Sequence, residues 1–219
     1  MRIPPSPIQL LLFVFILILL FTLVQIGLLH IAAEKLGIDF GKALFALFLS
    51  LLGSVINLPL FTLPLAPGIT PPPYNGWLLG PARPRPDRVI VAINLGGAIM
   101  PMLFSLYLLN RLELGLLPVL LATSIVSTIS YLLSRPIPGL GIAMPVFIPP
   151  MVAALCALVF APGHSAAVAY ISGTFGVIIG ADVLRLKEIQ RIGASVVSIG
   201  GAGTFDGIFL TGIVAVLLA

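Results

Sequence analysis

Charge is the scarcest ingredient of this sequence. Acidic and basic side chains make up 8% of its 219 residues, and seven of them are Asp or Glu. An ordinary soluble domain carries about 25% charged residues. Too little polar surface remains to dissolve a globule of this size, so a soluble fold is excluded. Cysteine is scarce as well: Cys156 stands alone, which excludes an intrachain disulfide and a thiolate metal cluster. Its neighbours Leu155 and Ala157 mark it as apolar filler. No serine, cysteine and histidine arrangement reads as a hydrolase triad, and no P-loop spacing of lysine and hydroxyl is present.

What the chain has instead is hydrocarbon. Hydrophobic residues make up 59% of it, in runs that each approach the roughly 20 residues needed to cross about 30 Å of bilayer core. About seven spans fit, at residues 8–33, 40–63, 89–109, 114–133, 143–161, 165–184 and 203–219. The expected fold is all-α, a polytopic transmembrane helix bundle forming a single integral membrane domain over residues 1–219. The first run, Ile8 to Ile31, exceeds the roughly 7–15 residues of a signal-peptide core and is read as retained. Pro59 and Pro64 near the end of the second span, and Pro145, Pro149 and Pro150 in the fifth, predict kinked or unwound segments.

The formal charge of +4 does not point to nucleic acid, because the basic residues sit in the connections between spans, where they set orientation. Arg2, Arg83, Arg85, Arg88, Arg135, Arg185, Lys187 and Arg191 fall on the side of the N-terminus, and Lys35, Lys42 and Arg111 on the other. The N-terminus is therefore expected in the cytoplasm and the C-terminus outside. A Pro/Arg-rich loop at residues 65–88 contains Pro71-Pro72-Pro73, and its Tyr74 and Trp77 are expected to anchor at the headgroup level.

Two acids stand apart from the loop charges. Asp182 ends the sixth span in Gly180-Ala181-Asp182, and Asp206 opens the seventh in Gly203-Thr204-Phe205-Asp206-Gly207. A carboxylate in or near hydrocarbon is expensive and is a functional candidate by default. The two spans are antiparallel, so both acids fall near the cytoplasmic boundary. Gly176 with Gly180, and Gly203 with Gly207, form small-xxx-small pairs that permit close helix approach. If the two carboxylates share a site, their repulsion keeps one protonated and one ionised, the arrangement an aspartic protease uses to activate water. Local roles compete with this: Asp206 as a helix cap, and Asp182 paired with Arg185 three residues on. At about 100° per residue, Asp182 also lies about 200° from Gly180, away from the small-residue face.

Asn94, Gly201, Gly203, Thr204 and Gly207 are the candidate lining of a cavity around these acids, since Asn94-Leu95-Gly96-Gly97 and Ser198 to Thr204 are both polar, flexible interruptions. His30 and Glu34 share a helix face as an interfacial pair, and His164 helps to start the sixth span. Thr123, Ser124, Ser127, Thr128 and Ser130 recur at helical spacing in the fourth span and read as interhelical contacts. No cofactor or metal site is legible.

The segment Ser172-Gly173-Thr174-Phe175-Gly176 to Gly180-Ala181-Asp182, followed by Ser198-Ile199-Gly200-Gly201-Ala202-Gly203-Thr204-Phe205-Asp206-Gly207-Ile208-Phe209, resembles the prokaryotic membrane family called domain of unknown function 1614. That resemblance implies a membrane protein and no particular activity. More distantly, an Asp ending one helix and a Gly-rich stretch with Asp opening the next is similar to the presenilin and signal-peptide-peptidase group. Those enzymes have Tyr-Asp where this chain has Ala181-Asp182, and Gly-x-Gly-Asp where it has Gly201-Ala202-Gly203-Thr204-Phe205-Asp206. This resemblance implies Asp182 and Asp206 as the catalytic pair of an intramembrane aspartyl protease acting on a membrane-embedded peptide. A proton- or cation-coupled transporter or channel, and a non-catalytic membrane scaffold, are the competing expectations.

Overall fold

The structure is a computed structural model that describes residues 7–66, 88–137, 141–194, 196–201 and 207–219. Three helical runs are long and apolar enough to cross a membrane: Val14–Lys35, Leu116–Leu133 and Pro162–Val183. The first belongs to α1 (Pro7–Lys35). A short tight turn leads to α2 (Phe40–Gly53), which Asp39 caps by accepting the Lys42 N–H at 3.2 Å. After α3 (Met100–Arg111) and α4 (Leu116–Leu133) come α5 (Ile148–Phe160), α6 (Ser165–Val177), the single turn α7 (Leu186–Ile189) and α8 (Gly207–Leu218). Helices of this length and apolarity associate the chain with a membrane.

The bundle is built around α6, of whose 13 residues 11 are buried. Its sequence explains this: Ala166, Ala167, Ala169, Ser172, Gly173 and Gly176 leave little side chain in the way of neighbours. A Cβ on Gly180 would collide with the Ser127 carbonyl of α4, and one on Gly176 would stand 2.5 Å from Val126. The small-residue face expected to meet the last span therefore packs on α4 instead. Against α8, α6 presents Tyr170, Gly173 and Thr174, which meet Gly212 and Thr211. At one end of the bundle, Lys35 Nζ donates to the Leu217 carbonyl (3.0 Å), Arg111 Nη2 to the Gly37 carbonyl (2.8 Å) and Ser165 Oγ to the Ala219 carbonyl (3.1 Å).

The all-α expectation needs correcting, because the fold is mostly helical but contains two small sheets. The latter part of the expected second span is a strand, β1 (Asn57–Pro64), and the start of the third is β2 (Arg88–Asn94), paired antiparallel with it. Proline explains the first change. Pro59 lacks an N–H and cannot continue a helix, but it is accommodated in an edge strand, beside an irregularity between Pro59 and Phe61. The β-branched run Val89, Ile90, Val91, Ile93 explains the second.

A further hairpin pairs β3 (Arg135–Ile137) with β4 (Gly141–Ala143), and β5 (Val196–Ile199) adds parallel to β2, giving the order β1-β2-β5. The fifth expected span shortens likewise: α5 begins at Ile148, with proline in its first turn. Beneath the three-stranded sheet lies an apolar cluster that includes Val89, Val91, Ile178, Ala181, Ile199 and Ile208. A second cluster, with Leu108, Val126, Ala157, Val168, Ile171 and Val216, fills the bundle.

Gly180→Leu drives a side chain into the α4 backbone. Overpacking of this kind costs about 1–3 kcal/mol or more, so the variant is expected to melt well below the parent in detergent. An unchanged melting temperature would refute the α4–α6 contact.

Candidate functional site

Asp182 sits where α6 stops being an α-helix. Residues Ile178–Val183 form a π turn, closed at its end by the Leu184 N–H donating to the Ile179 carbonyl at 2.9 Å. Such i→i+5 turns mark local irregularity and recur at functional positions. Tyr170 and Thr174 of α6 face α8, and the wider π turn breaks that four-residue register before Asp182. The residue is half-buried, next to the fully packed Ala181.

The expected partner of Asp182, Arg185, is committed elsewhere. Its Nε donates to Ser134 Oγ (3.0 Å), its Nη2 to the Tyr131 carbonyl (2.6 Å), and its Nη1 to both Glu188 oxygens (2.7 and 2.8 Å). The guanidinium also lies 4.4 Å above the Tyr131 ring. This fork ties the end of α4, where the C-terminal carbonyls lack helical partners, to α7. Sequence reading did not single out Glu188; its i,i+3 spacing from Arg185 was the available signal.

A second π turn, Leu95–Ile99, connects β2 to α3, and Asn94 holds its start. The Asn94 side chain is fully buried. Its Oδ1 accepts the Gly97 N–H (2.7 Å), and its Nδ2 donates to the Ser54 carbonyl (2.6 Å) and to Asn57 Oδ1 (3.0 Å). Ser198 Oγ donates to the same Asn57 oxygen at 2.6 Å, which draws in β5. Ser50 Oγ donates to the Gly96 carbonyl at 2.6 Å. Asn94 thus acts as a clamp between α2, β1 and the π turn, with its polar atoms occupied by protein. A Cβ on Gly97 would collide with the Gly200 carbonyl, and Gly200 and Gly201 hold φ of +84° and +81°, a left-handed conformation that favours glycine.

Of the remaining expected lining residues, Gly201 is half-buried and Gly207 opens α8. Gly203, Thr204 and Asp206 lie outside the described residues, as do Tyr74, Trp77, Arg83 and Arg85 of the Pro/Arg loop. Ile208, two positions after Asp206, is 1% exposed and belongs to the same apolar cluster as Ile178 and Ala181. Of the hydroxyls in α4, Thr128 Oγ1 donates to its own helix at the Ser124 carbonyl (2.8 Å), and Ser130 borders Gly180 of α6. His30 and Glu34 are paired at 3.3 Å, both exposed, and His164 is the N-cap residue of α6.

Asn94→Leu leaves the buried Gly97 N–H and Ser54 carbonyl without their partner, each at about 1–3 kcal/mol. We expect a clear fall in thermal stability by scanning fluorimetry in detergent. A variant as stable as the parent would show that Asn94 holds nothing together.

No curated protein and no solved structure matches this chain. A family model does match, over residues 51–218 and so over most of the sequence, spanning the clamp, the sheet and both π turns. The chain belongs to the family described as protein of unknown function (DUF1614).

Proposed function

We propose that this protein is an intramembrane aspartyl protease in which Asp182 and Asp206 act together on one water molecule. The observation that carries the reading is the burial of Ile208 in one cluster with Ile178 and Ala181. It draws the chain just after Asp206 and the turn bearing Asp182 to the same core. The antiparallel course of α6 and α8 supports it, with Ser165 against Ala219 and Gly173 against Thr211. So does the π turn, which interrupts α6 at Asp182 itself.

In the proposed reaction one aspartate is ionised and the other protonated. The ionised carboxylate takes a proton from water as the oxygen attacks the peptide carbonyl carbon, and the protonated carboxyl gives its proton to the carbonyl oxygen. As the tetrahedral diol collapses, the carboxylate left ionised by the first step takes the proton of one diol hydroxyl, the C–N bond breaks, and the nitrogen leaves with the proton held by the other carboxyl, which restores the dyad. The substrate is a peptide segment entering from the bilayer, and no cofactor takes part. The proposal includes about seven membrane passes, with α2–β1 and β2–α3 as the second and third, a cytoplasmic N-terminus, and both aspartates near the cytoplasmic face.

A second reading, proton- or cation-coupled transport, is favoured by one specific observation. Ser130 and Thr211 are fully buried on α4 and α8, and their hydroxyl oxygens have no hydrogen-bond partner among the described residues. Polar atoms left open inside a bundle suit a hydrated path.

Asp182→Asn and Asp206→Asn separate the readings. For a protease, each is expected to reduce cleavage of single-span peptides in liposomes by at least about a hundredfold, with the melting temperature unchanged. Proton uptake into liposomes that is lost in both variants, without any peptide cleavage by the parent, would replace hydrolysis by transport. A loss of stability alone would leave a scaffold.

A further inference from the structure

Between α1, α2 and α3 lies a half-open apolar cavity of about 280 Å³, and we propose that it holds one acyl chain of a bilayer phospholipid whose headgroup rests at the α1–α2 turn. The cavity arises from the sequence in a simple way. α1 and α2 leave a sharp turn and face one another with Ala32 and Ala33 on one side and Ala43 and Ala46 on the other. Alanines at these positions would let two helices close together. Instead Phe104 of α3 and Tyr170 of α6 form the back wall, and the gap between the alanine faces stays open.

The occupant follows from what surrounds the opening. The spanning part of α1 has none of its apolar window buried, and Phe15, Leu19, Leu23 and Ile26 are among its exposed residues. A helix that is apolar and uncovered on every face is bathed in lipid tails, so hydrocarbon chains are the bulk solvent at the mouth. An empty apolar cavity forfeits contacts on every wall, and cavities near 300 Å³ take ligands. Leu36 and Ile38 line the cavity within the turn itself, and the exposed Asp39 and Lys42 directly adjoin the lining residues Ile38 and Ala43 in the chain. There Lys42 and Asp39 offer one charge of each sign. Such a pair complements a headgroup that carries a phosphate and an ammonium, so the proposed occupant is a zwitterionic phospholipid.

The test is native mass spectrometry of the full chain released from phosphatidylethanolamine nanodiscs into mild detergent, for the parent and for Ala46→Phe and Ala33→Phe, which fill the cavity from opposite walls. The parent is expected to retain one phospholipid per chain. Both variants are expected to lose it, by at least tenfold in the lipid-bound fraction, and to melt no lower than the parent. A parent that keeps no lipid, or keeps it equally in both variants, overturns the proposal. So does retention of a second protein chain in its place. Failure of both variants to fold also overturns it, because it would mean there is no room for a ring.

Discussion

A helix that stops inside an apolar protein leaves peptide groups that water cannot reach, and the rest of this structure depends on how Asn94 answers that requirement. Between α2 and α3 the chain gives up helical bonding for a pair of strands and a π turn. One buried amide then supplies an acceptor to Gly97 and donors to Ser54 and Asn57. Three elements meet on a single side chain, and Ser50 and Ser198 extend the network to the Gly96 carbonyl and β5. Such a network pairs the backbone groups that are freed where the helices stop and that are buried away from water.

The second organising constraint is steric. α6 is surrounded because it is thin, and the glycines on it and on the π turn after it divide between two neighbours: Gly173 meets α8, while Gly176 and Gly180 meet α4. Arg185 is spent on the end of α4 and on Glu188 and holds that end of the bundle together. α6 lends Tyr170 to the proposed lipid cavity, and the π turn that follows it bears Asp182 of the proposed dyad.

Much of this was legible in the residues. The long apolar runs located α1, α4 and α6, because spanning length and hydropathy are local properties. The irregularity at Asn94-Leu95-Gly96-Gly97 was visible as a polar, glycine-rich break, and His30 with Glu34 as an i,i+4 pair. Pro59, Pro64 and Pro145, which precedes α5, announced that helices would fail there. What replaced them was not announced, since strand pairing joins residues as distant as Ile90 and Val196, and no local pattern specifies that partnership.

The sequence by itself determined that this chain lives with lipid, where its helices run and break, and that two acids stand in apolar surroundings. Only the tertiary structure decided that the breaks become a sheet, that Asn94 is a clamp, that the Gly176 and Gly180 face belongs to α4, and that Arg185 serves α4 and Glu188. The physical reason is the same in each case. Hydropathy and backbone propensity are carried by each residue in its own window, whereas the partner of a glycine face, a buried amide or a guanidinium is chosen by whatever the folded chain brings within a few ångströms.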